Sequence, residues 1–301
     1  MNTNPNPVVK KTAKQVLSEK LTAFRKFMRV MTSRKIVVVG IIGTLFFVLV
    51  AIFAPIIATQ DPNLITADGK LLPFSSAHWF GTDYLGRDLY SRLVYGTRVS
   101  ILTGVISTLM AVVVGSFLGM LAAYCGGIVD KLLIGYCEVF NSIPGIALSL
   151  TLITLFGGGM MNMAFILMVT GIPGFLRMMR ASSLTVMNSD YILAAKLSGQ
   201  SRLKQLYKHV FPNAISPIIV MATQHVGMTI MMESGLSFLG VGIKIPTASW
   251  GSIINEARPY LMVDPWYVLL PCIFLALLII SLNLLGDGIR DALDPSLRGE
   301  V

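Results

Sequence analysis

The stretch Ser189-Asp190-Tyr191-Ile192-Leu193-Ala194-Ala195-Lys196-Leu197-Ser198-Gly199, continuing to Lys208-His209-Val210-Phe211-Pro212-Asn213, is polar and basic and lies between two long apolar runs. Ser189 is placed to cap a first short helix, with Asp190 in its first turn, where the helix dipole favours negative charge. Gly199 supplies the left-handed residue that ends such a helix. Ser201 starts a second helix, which Pro212 is expected to stop. On that second helix Leu203, Leu206 and Val210 share one face, while Arg202, Lys204 and Lys208 keep the remainder polar. A linker between membrane spans needs only to be short and wet. Helix, glycine and amphipathic helix in succession read instead as a surface that docks.

Outward from this segment the chain is strongly apolar. Of its 301 residues, 54% are hydrophobic and 13% charged. A soluble domain carries about 25% charge, so the chain reads as an integral membrane protein. Its net charge of +9 is placed as a topology signal: nine of the 24 Lys and Arg precede Ile36 and six lie between Arg177 and Lys208, each group beside an apolar run. No basic face on a soluble fold is visible, which sets nucleic acid aside as a partner. The three cysteines (Cys125, Cys137, Cys272) imply no disulfide framework. Residues 1–35 are too long and too polar for the charged region of a signal peptide. They are expected to form a basic cytoplasmic tail, helical in part from about Ser18.

A hydrocarbon core of ~30 Å needs about 20 apolar helical residues. Six runs approximate this: Ile36–Ala58, Val99–Tyr124, Leu132–Phe156, Met160–Leu176, Ala214–Met232 and Trp266–Leu285. The fourth is short and holds Gly171, Pro173 and Gly174, so a kink is expected there. With the basic tail inside, an even number of spans returns the C-terminus to the cytoplasm. The loop after Arg177 then also falls inside, its bases set against one acid, Asp190. The two outer loops balance their charges, Lys70, Arg87, Arg92 and Arg98 against Asp61, Asp68, Asp83 and Asp88, then Lys244 and Arg258 against Glu256 and Asp264. The organisation expected is the tail 1–35, a first span and outer loop over 36–98, a core over 99–285 that carries 189–213, and a cytoplasmic C-terminal tail over 286–301.

Several features mark candidate sites. Ala111, Gly115, Gly119 and Ala123 recur every four residues along the second span, the pattern of a helix-packing stripe in lipid. In the first outer loop Leu85, Leu89 and Leu93 align, and Asp83–Arg87 and Asp88–Arg92 are acid-before-base pairs four apart. These residues are expected to form a short amphipathic helix on the outer surface, its charged face free to dock a partner. Trp250 and Trp266 suit the interfacial aromatic belt. Glu138 in the third span and Glu233 near the outer end of the fifth are costly within a membrane, and each is a candidate for a gate or a solute pathway. His225 reads as a hydrogen-bonded packing residue. The chain has no G-x-x-x-x-G-K-[ST] loop, so it is not expected to bind nucleotide by that route. Its three histidines (His78, His209, His225) show no metal-binding spacing.

Together these residues resemble the permease subunits of bacterial ABC importers for dipeptides and oligopeptides, in particular the member of the permease pair with an extra N-terminal span. The similarity covers roughly Ile36 to Arg298. His78-Trp79-Phe80-Gly81-Thr82-Asp83, followed by Gly86-Arg87-Asp88 and Ser91-Arg92, is similar to that subunit's outer-loop signature. Asp190-Tyr191, Ala194-Ala195, Gly199 and His209-Val210-Phe211-Pro212-Asn213 resemble its ATPase-coupling loop. Glu233-Ser234-Gly235-Leu236-Ser237-Phe238-Leu239-Gly240, Ser249-Trp250-Gly251 and Asn283-Leu284-Leu285-Gly286-Asp287-Gly288 complete the match. Leu193 departs from it by standing where the wider superfamily has Glu. The resemblance implies an all-α, six-span membrane protein whose last five spans form a type I ABC importer permease core. It also implies pairing with a homologous permease subunit, two cytoplasmic ATPase subunits that carry ATP and Mg, and an extracytoplasmic binding protein, with this chain itself in the bacterial cytoplasmic (inner) membrane. No cofactor and no enzymatic activity are expected in this chain itself. Peptides are the implied solutes, with nickel, metal chelates and glutathione as alternatives within the same class. An ion-coupled secondary transporter is the alternative of another class, and it would need a midplane charge relay and no docking loop.

Overall fold

The computed structural model describes residues 22, 25, 27–66 and 69–293. Asp68, much of the tail before α1 and everything after Leu293 lie outside the described residues. Among those described the regular structure is helical, apart from one isolated bridge between Thr82 and Asp88, with turns and loops between the helices. The helices are α1 (Lys35–Ile52), α2 (Ala54–Ile57), α3 (Leu89–Cys125), α4 (Gly127–Asn141), α5 (Gly145–Phe156), α6 (Met160–Met187), α7 (Asp190–Leu197), α8 (Arg202–Gln205), α9 (Phe211–Ala214), α10 (Ser216–Phe238), α11 (Trp250–Ala257) and α12 (Pro265–Leu293).

Four of these, α1, α3, α6 and α12, are each long and apolar enough to cross a membrane. Two bent pairs bring the number to six, α4 with α5 at 91° and residues 202–214 with α10 at 50°. The break in the third span was not expected. Pro144 clashes with an α-helical conformation at Ile143, and Pro144 itself is extended at φ −53°, ψ 127°. The fourth span, where a kink was expected, runs as one helix through Pro173 to Met187. Its glycines serve packing instead. A Cβ added to Gly171 would lie 3.0 Å from His225 Cε1, and one on Gly174 would lie 2.9 Å from Met221 Cε.

The other span ends also move. α3 begins at Leu89 rather than Val99, and α12 continues past Leu285 into the expected C-terminal tail. Arg177 and Arg180 belong to α6 rather than to a loop, and Arg180 Nη2 reaches Asp130 Oδ2 of α4 at 2.6 Å. At the chain's two ends Arg34 Nη1 lies 2.7 Å from Asp291 Oδ2. α1 rests on α12 through glycines, since a Cβ on Gly40 would lie 2.6 Å from Leu284 Cβ.

The centre of the bundle is the contact between α3 and α6. Ala111, Gly115, Gly119 and Ala123 are all buried. A Cβ on Gly115 would come 2.7 Å from Phe175 Cβ, and one on Gly119 would come 2.9 Å from Met179 Cβ. Lipid tails are as apolar as leucine, so helices in a bilayer gain by packing closely rather than by escaping water. Small residues on α3 let the two backbones meet.

Candidate functional site

Two clusters of candidate residues lie toward opposite ends of the bundle. The first is the 189–213 segment. Ser189 occupies the N-cap of α7, but its hydroxyl donates back to Val186 O at 2.6 Å instead of capping. Gly199 adopts φ +76°, and its N–H donates to Lys196 O at 3.1 Å while Gln200 N–H donates to Ala195 O at 3.2 Å. This is the left-handed closure of a helix C-terminus. Ser201 then caps α8, accepting from Lys204 N–H at 3.4 Å.

Pro212 does not stop the second helix. The chain widens into a π-helical turn over Leu206–Val210, in which Phe211 N–H donates to Leu206 O, and passes into α9 with Pro212 in its first turn. Proline has no N–H to give, and the π turn shifts the hydrogen-bond register just before it. The break falls at Ile215 instead. Gln200, which sequence reading passed over, holds this corner together. Its carbonyl accepts from Gln205 Nε2 at 2.8 Å, and its side-chain oxygen lies 3.2 Å from His209 Nε2. Only its position after Gly199 could have singled it out.

The segment has an inner and an outer face. Ile192, Val210 and Ala214 pack with Ala111, Met168, Ile172, Phe175 and Met179. Ala195 is also buried, whereas Asp190, Ala194 and Pro212 are exposed. Large apolar side chains remain uncovered on the outer face: Tyr191, Leu193, Leu203, Tyr207 and Leu197, the last 81% exposed. Leu203, expected to share a face with Leu206 and Val210, points out while Val210 is buried.

The second cluster corrects the expected outer helix. Residues 81–88 form turns, and Asp83, Arg87, Asp88 and Arg92 are all buried rather than displayed on a docking face. Arg87 Nε contacts Asp83 Oδ2 at 2.5 Å, and its Nη2 contacts Glu256 Oε2 at 2.5 Å. Arg92 Nη2 meets the same Glu256 at 3.0 Å, with Arg92 Nε 3.4 Å from Asp83. Burial tends to lower the Arg87 pKa, but the attraction of Glu256 and Asp83 outweighs it and holds the guanidinium above its usual range. Burial pushes the Glu256 carboxyl up against the opposing pull of Arg92 and Arg87. Asp88 does not pair with Arg92. It caps α3, accepting from Ser91 N–H at 2.8 Å and lying 2.9 Å from His78 Nδ1. Trp250, expected in an interfacial belt, is buried, and its indole N–H donates to Leu93 O at 3.2 Å. Trp266 is exposed.

Glu233 is fully buried on α10 and accepts from Ser237 Oγ at 2.8 Å and from Ser100 Oγ of α3 at 3.0 Å. Ser237 Oγ also accepts from Ile243 N–H at 3.1 Å, so the carboxyl helps to hold the turn after α10. Glu138 is exposed on α4 and joins none of these clusters. His225 lies 3.0 Å from Thr229 Oγ1 and 3.2 Å from Thr108 Oγ1.

Comparison with known proteins supplies the context of both clusters. The family model for the binding-protein-dependent transport system inner membrane component matches residues 115–299. The model for the N-terminal transmembrane domain of oligopeptide transport permease C matches residues 22–73. A probable D,D-dipeptide transport system permease protein of Escherichia coli K12 is 36% identical over 95% of this chain and 96% of its own. A glutathione transport system permease protein of Pectobacterium atrosepticum is 35% identical over 92% of both chains. An oligopeptide transport system permease protein of Bacillus subtilis is 33% identical over 95% of this chain and 94% of its own. Among solved structures, the inward-facing MetNI methionine ABC transporter matches in fold with a TM-score of 0.57, at 19% identity over 68% of this chain and 98% of that one. The chain therefore belongs to the binding-protein-dependent inner membrane components, the permease subunits of ABC transporters.

Proposed function

We propose that this permease forms half of the membrane pathway of an ATP-driven importer for peptides. The relatives named above carry dipeptides, oligopeptides or glutathione in their names, and glutathione is itself a peptide. In this reading a homologous permease subunit completes a heterodimer in the cytoplasmic (inner) membrane. Two ATPase subunits, which supply ATP and Mg chemistry, dock on the side of 189–213, and a binding protein delivers the solute from the other side. The N- and C-termini then lie in the cytoplasm with the 189–213 segment, as the excess of Lys and Arg before Ile36 and around that segment favours.

The observation that carries the reading is the two-faced 189–213 segment. Its inner face is packed against α3 and α6, and its outer face leaves Leu197 and its neighbours uncovered amid basic residues. An amphipathic helix with an unpartnered apolar face is suited to lie in a partner's groove. Asp190, Tyr191, Ala194, Ala195, Gly199, His209 and Pro212 are the residues proposed to transmit ATPase motion. Glu233, which ties α3 to the turn after α10, is proposed as a gate residue, and the Asp83, Arg87, Asp88 and Arg92 cluster as the brace of the outer surface. The test is uptake of labelled di- and tripeptides by proteoliposomes containing all subunits and the binding protein. Uptake is expected only with internal ATP. Uptake driven by an ion gradient without ATP would overturn the reading.

A further inference from the structure

Beneath the corner between α7 and α8 lies a cavity of about 280 Å³, whose walls include Tyr124, Met187, Ile192, Lys196, Arg202 and Leu206. Its chemistry is divided. Met187, Ile192 and Leu206 give it an apolar floor. Lys196 and Arg202 place two cations on it, both exposed, and no carboxylate lines it. Elsewhere the chain pairs enclosed cations with acids: Arg87 and Arg92 with Glu256, and Arg180 with Asp130. Among the described residues neither Lys196 nor Arg202 has such a partner.

The position of the cavity is as informative as its lining. Tyr124 stands at the last turn of α3 and Met187 at the end of α6, so the cavity sits where two membrane-spanning helices give out. A tyrosine at that level is the ordinary occupant of the headgroup region. Lys204 and Lys208 add positive charge to the same segment, with Asp190 the one acid on it.

We propose that this cavity binds the phosphate headgroup of an anionic phospholipid from the leaflet on the 189–213 side. A phosphodiester oxyanion would take charge-assisted hydrogen bonds from Lys196 and Arg202, and the glycerol and first methylenes would cover the half-buried Met187 and Leu206. Basic pockets at the ends of membrane helices suit such headgroups, because Lys and Arg are drawn to the anionic leaflet surface. The volume of about 280 Å³ falls just below the usual range for ligand pockets, roughly 300–1,000 Å³. It admits a headgroup and not a whole lipid. A free phosphate ion offers the same oxyanion but leaves the apolar floor and the membrane-edge position without use. Occupancy would tie the α7–α8 corner to the bilayer and make it sensitive to lipid charge.

The test uses the full chain co-purified with its partner subunits, in nanodiscs of phosphatidylcholine alone or mixed with phosphatidylglycerol. Native mass spectrometry counts the lipid retained on release. Wild type is expected to retain phosphatidylglycerol in preference to phosphatidylcholine. K196Q/R202Q should retain roughly thirtyfold less, and the charge-keeping K196R/R202K should retain it normally. In parallel, phosphatidylglycerol should shield Lys196 of the wild-type complex from an amine-reactive reagent, a readout that needs no variant to fold. Equal phosphatidylglycerol retention by wild type and K196Q/R202Q would overturn the proposal. Saturable binding of inorganic phosphate in detergent, lost in K196Q/R202Q and undisturbed by lipid, would overturn the lipid assignment in favour of the free ion. Shielding of Lys196 by the ATPase subunits alone would also overturn it, by giving the cavity to the protein interface.

Discussion

Asp83, Arg87, Arg92 and Glu256 form a buried group of two acids and two bases whose charges cancel. Such a group adds little against an apolar replacement, but removing one member leaves its partner charged and unpaired, at a cost of about 3–5 kcal/mol. Glu256→Gln is therefore expected to lower the thermal midpoint of the purified complex and the yield of assembled transporter. A wild-type midpoint would show that the two arginines are solvated without it. Half of this group was legible in the sequence. The spacing of Asp83 and Arg87 gave their pairing, but Glu256 lies 169 residues from Arg87, and no local pattern connects them. The same spacing misled for Asp88 and Arg92, because Asp88 stands outside the helix as its cap and turns to Ser91 and His78. The charges read as a docking face because a sequence does not show that α11 covers them.

At the scale of helices, periodicity was the more reliable guide. The four-residue spacing of Ala111, Gly115, Gly119 and Ala123 marked a face, and the structure lays that face on Ile172–Met179. Gly115→Leu and Gly119→Leu are each expected to abolish folding or assembly, since a branched side chain would collide with α6 backbone and Cβ atoms. Gly135→Leu is the control. A Cβ there meets nothing within 4 Å, and leucine should favour the helix by about 0.8–1 kcal/mol. Normal assembly of Gly119→Leu, read by co-purification of the partner subunits, would show that α3 and α6 can separate at that point. The bend proved harder to place. Gly171, Pro173 and Gly174 all suggested a kink in the fourth span, yet that span runs on as one helix packed against its neighbours, and the third breaks at Pro144. Proline breaks a helix reliably only where packing does not restore it. On the 189–213 segment, Leu197→Asp should reduce ATPase-subunit retention on the purified permease severalfold, because it puts a charge at the most exposed apolar position of the segment. Full retention would place the dock elsewhere.

Across the whole molecule, composition, six apolar runs and the placement of basic residues were enough to name a six-span membrane protein, and the chain's relatives bear out its membership of the ABC permeases. The pairing of its faces was less legible. α4 and α5 keep Ile128, Leu132, Val139, Ile146, Leu155 and Phe156 uncovered, a surface that lipid or the partner permease must meet and that sequence alone does not divide between them. In the proposed importer, 189–213 converts ATPase motion into rearrangement of the spans. Gly199 offers the most direct test, since a Cβ there enters open space and meets no neighbour within 4 Å. Within this chain a side chain there acts through the backbone, where φ +76° costs an L-residue roughly 1–2 kcal/mol and a β-branched one more, and the Asn variant separates that cost from contact with a partner. The decisive measurement is peptide taken up per ATP hydrolysed by reconstituted complexes carrying Gly199→Val or Gly199→Asn. Gly199→Val should insert and assemble but re-aim α8, so that uptake per ATP falls severalfold, whereas Gly199→Asn, which tolerates the left-handed region, should stay near wild type. A Gly199→Val complex with the wild-type ratio would contradict the coupling role of the segment.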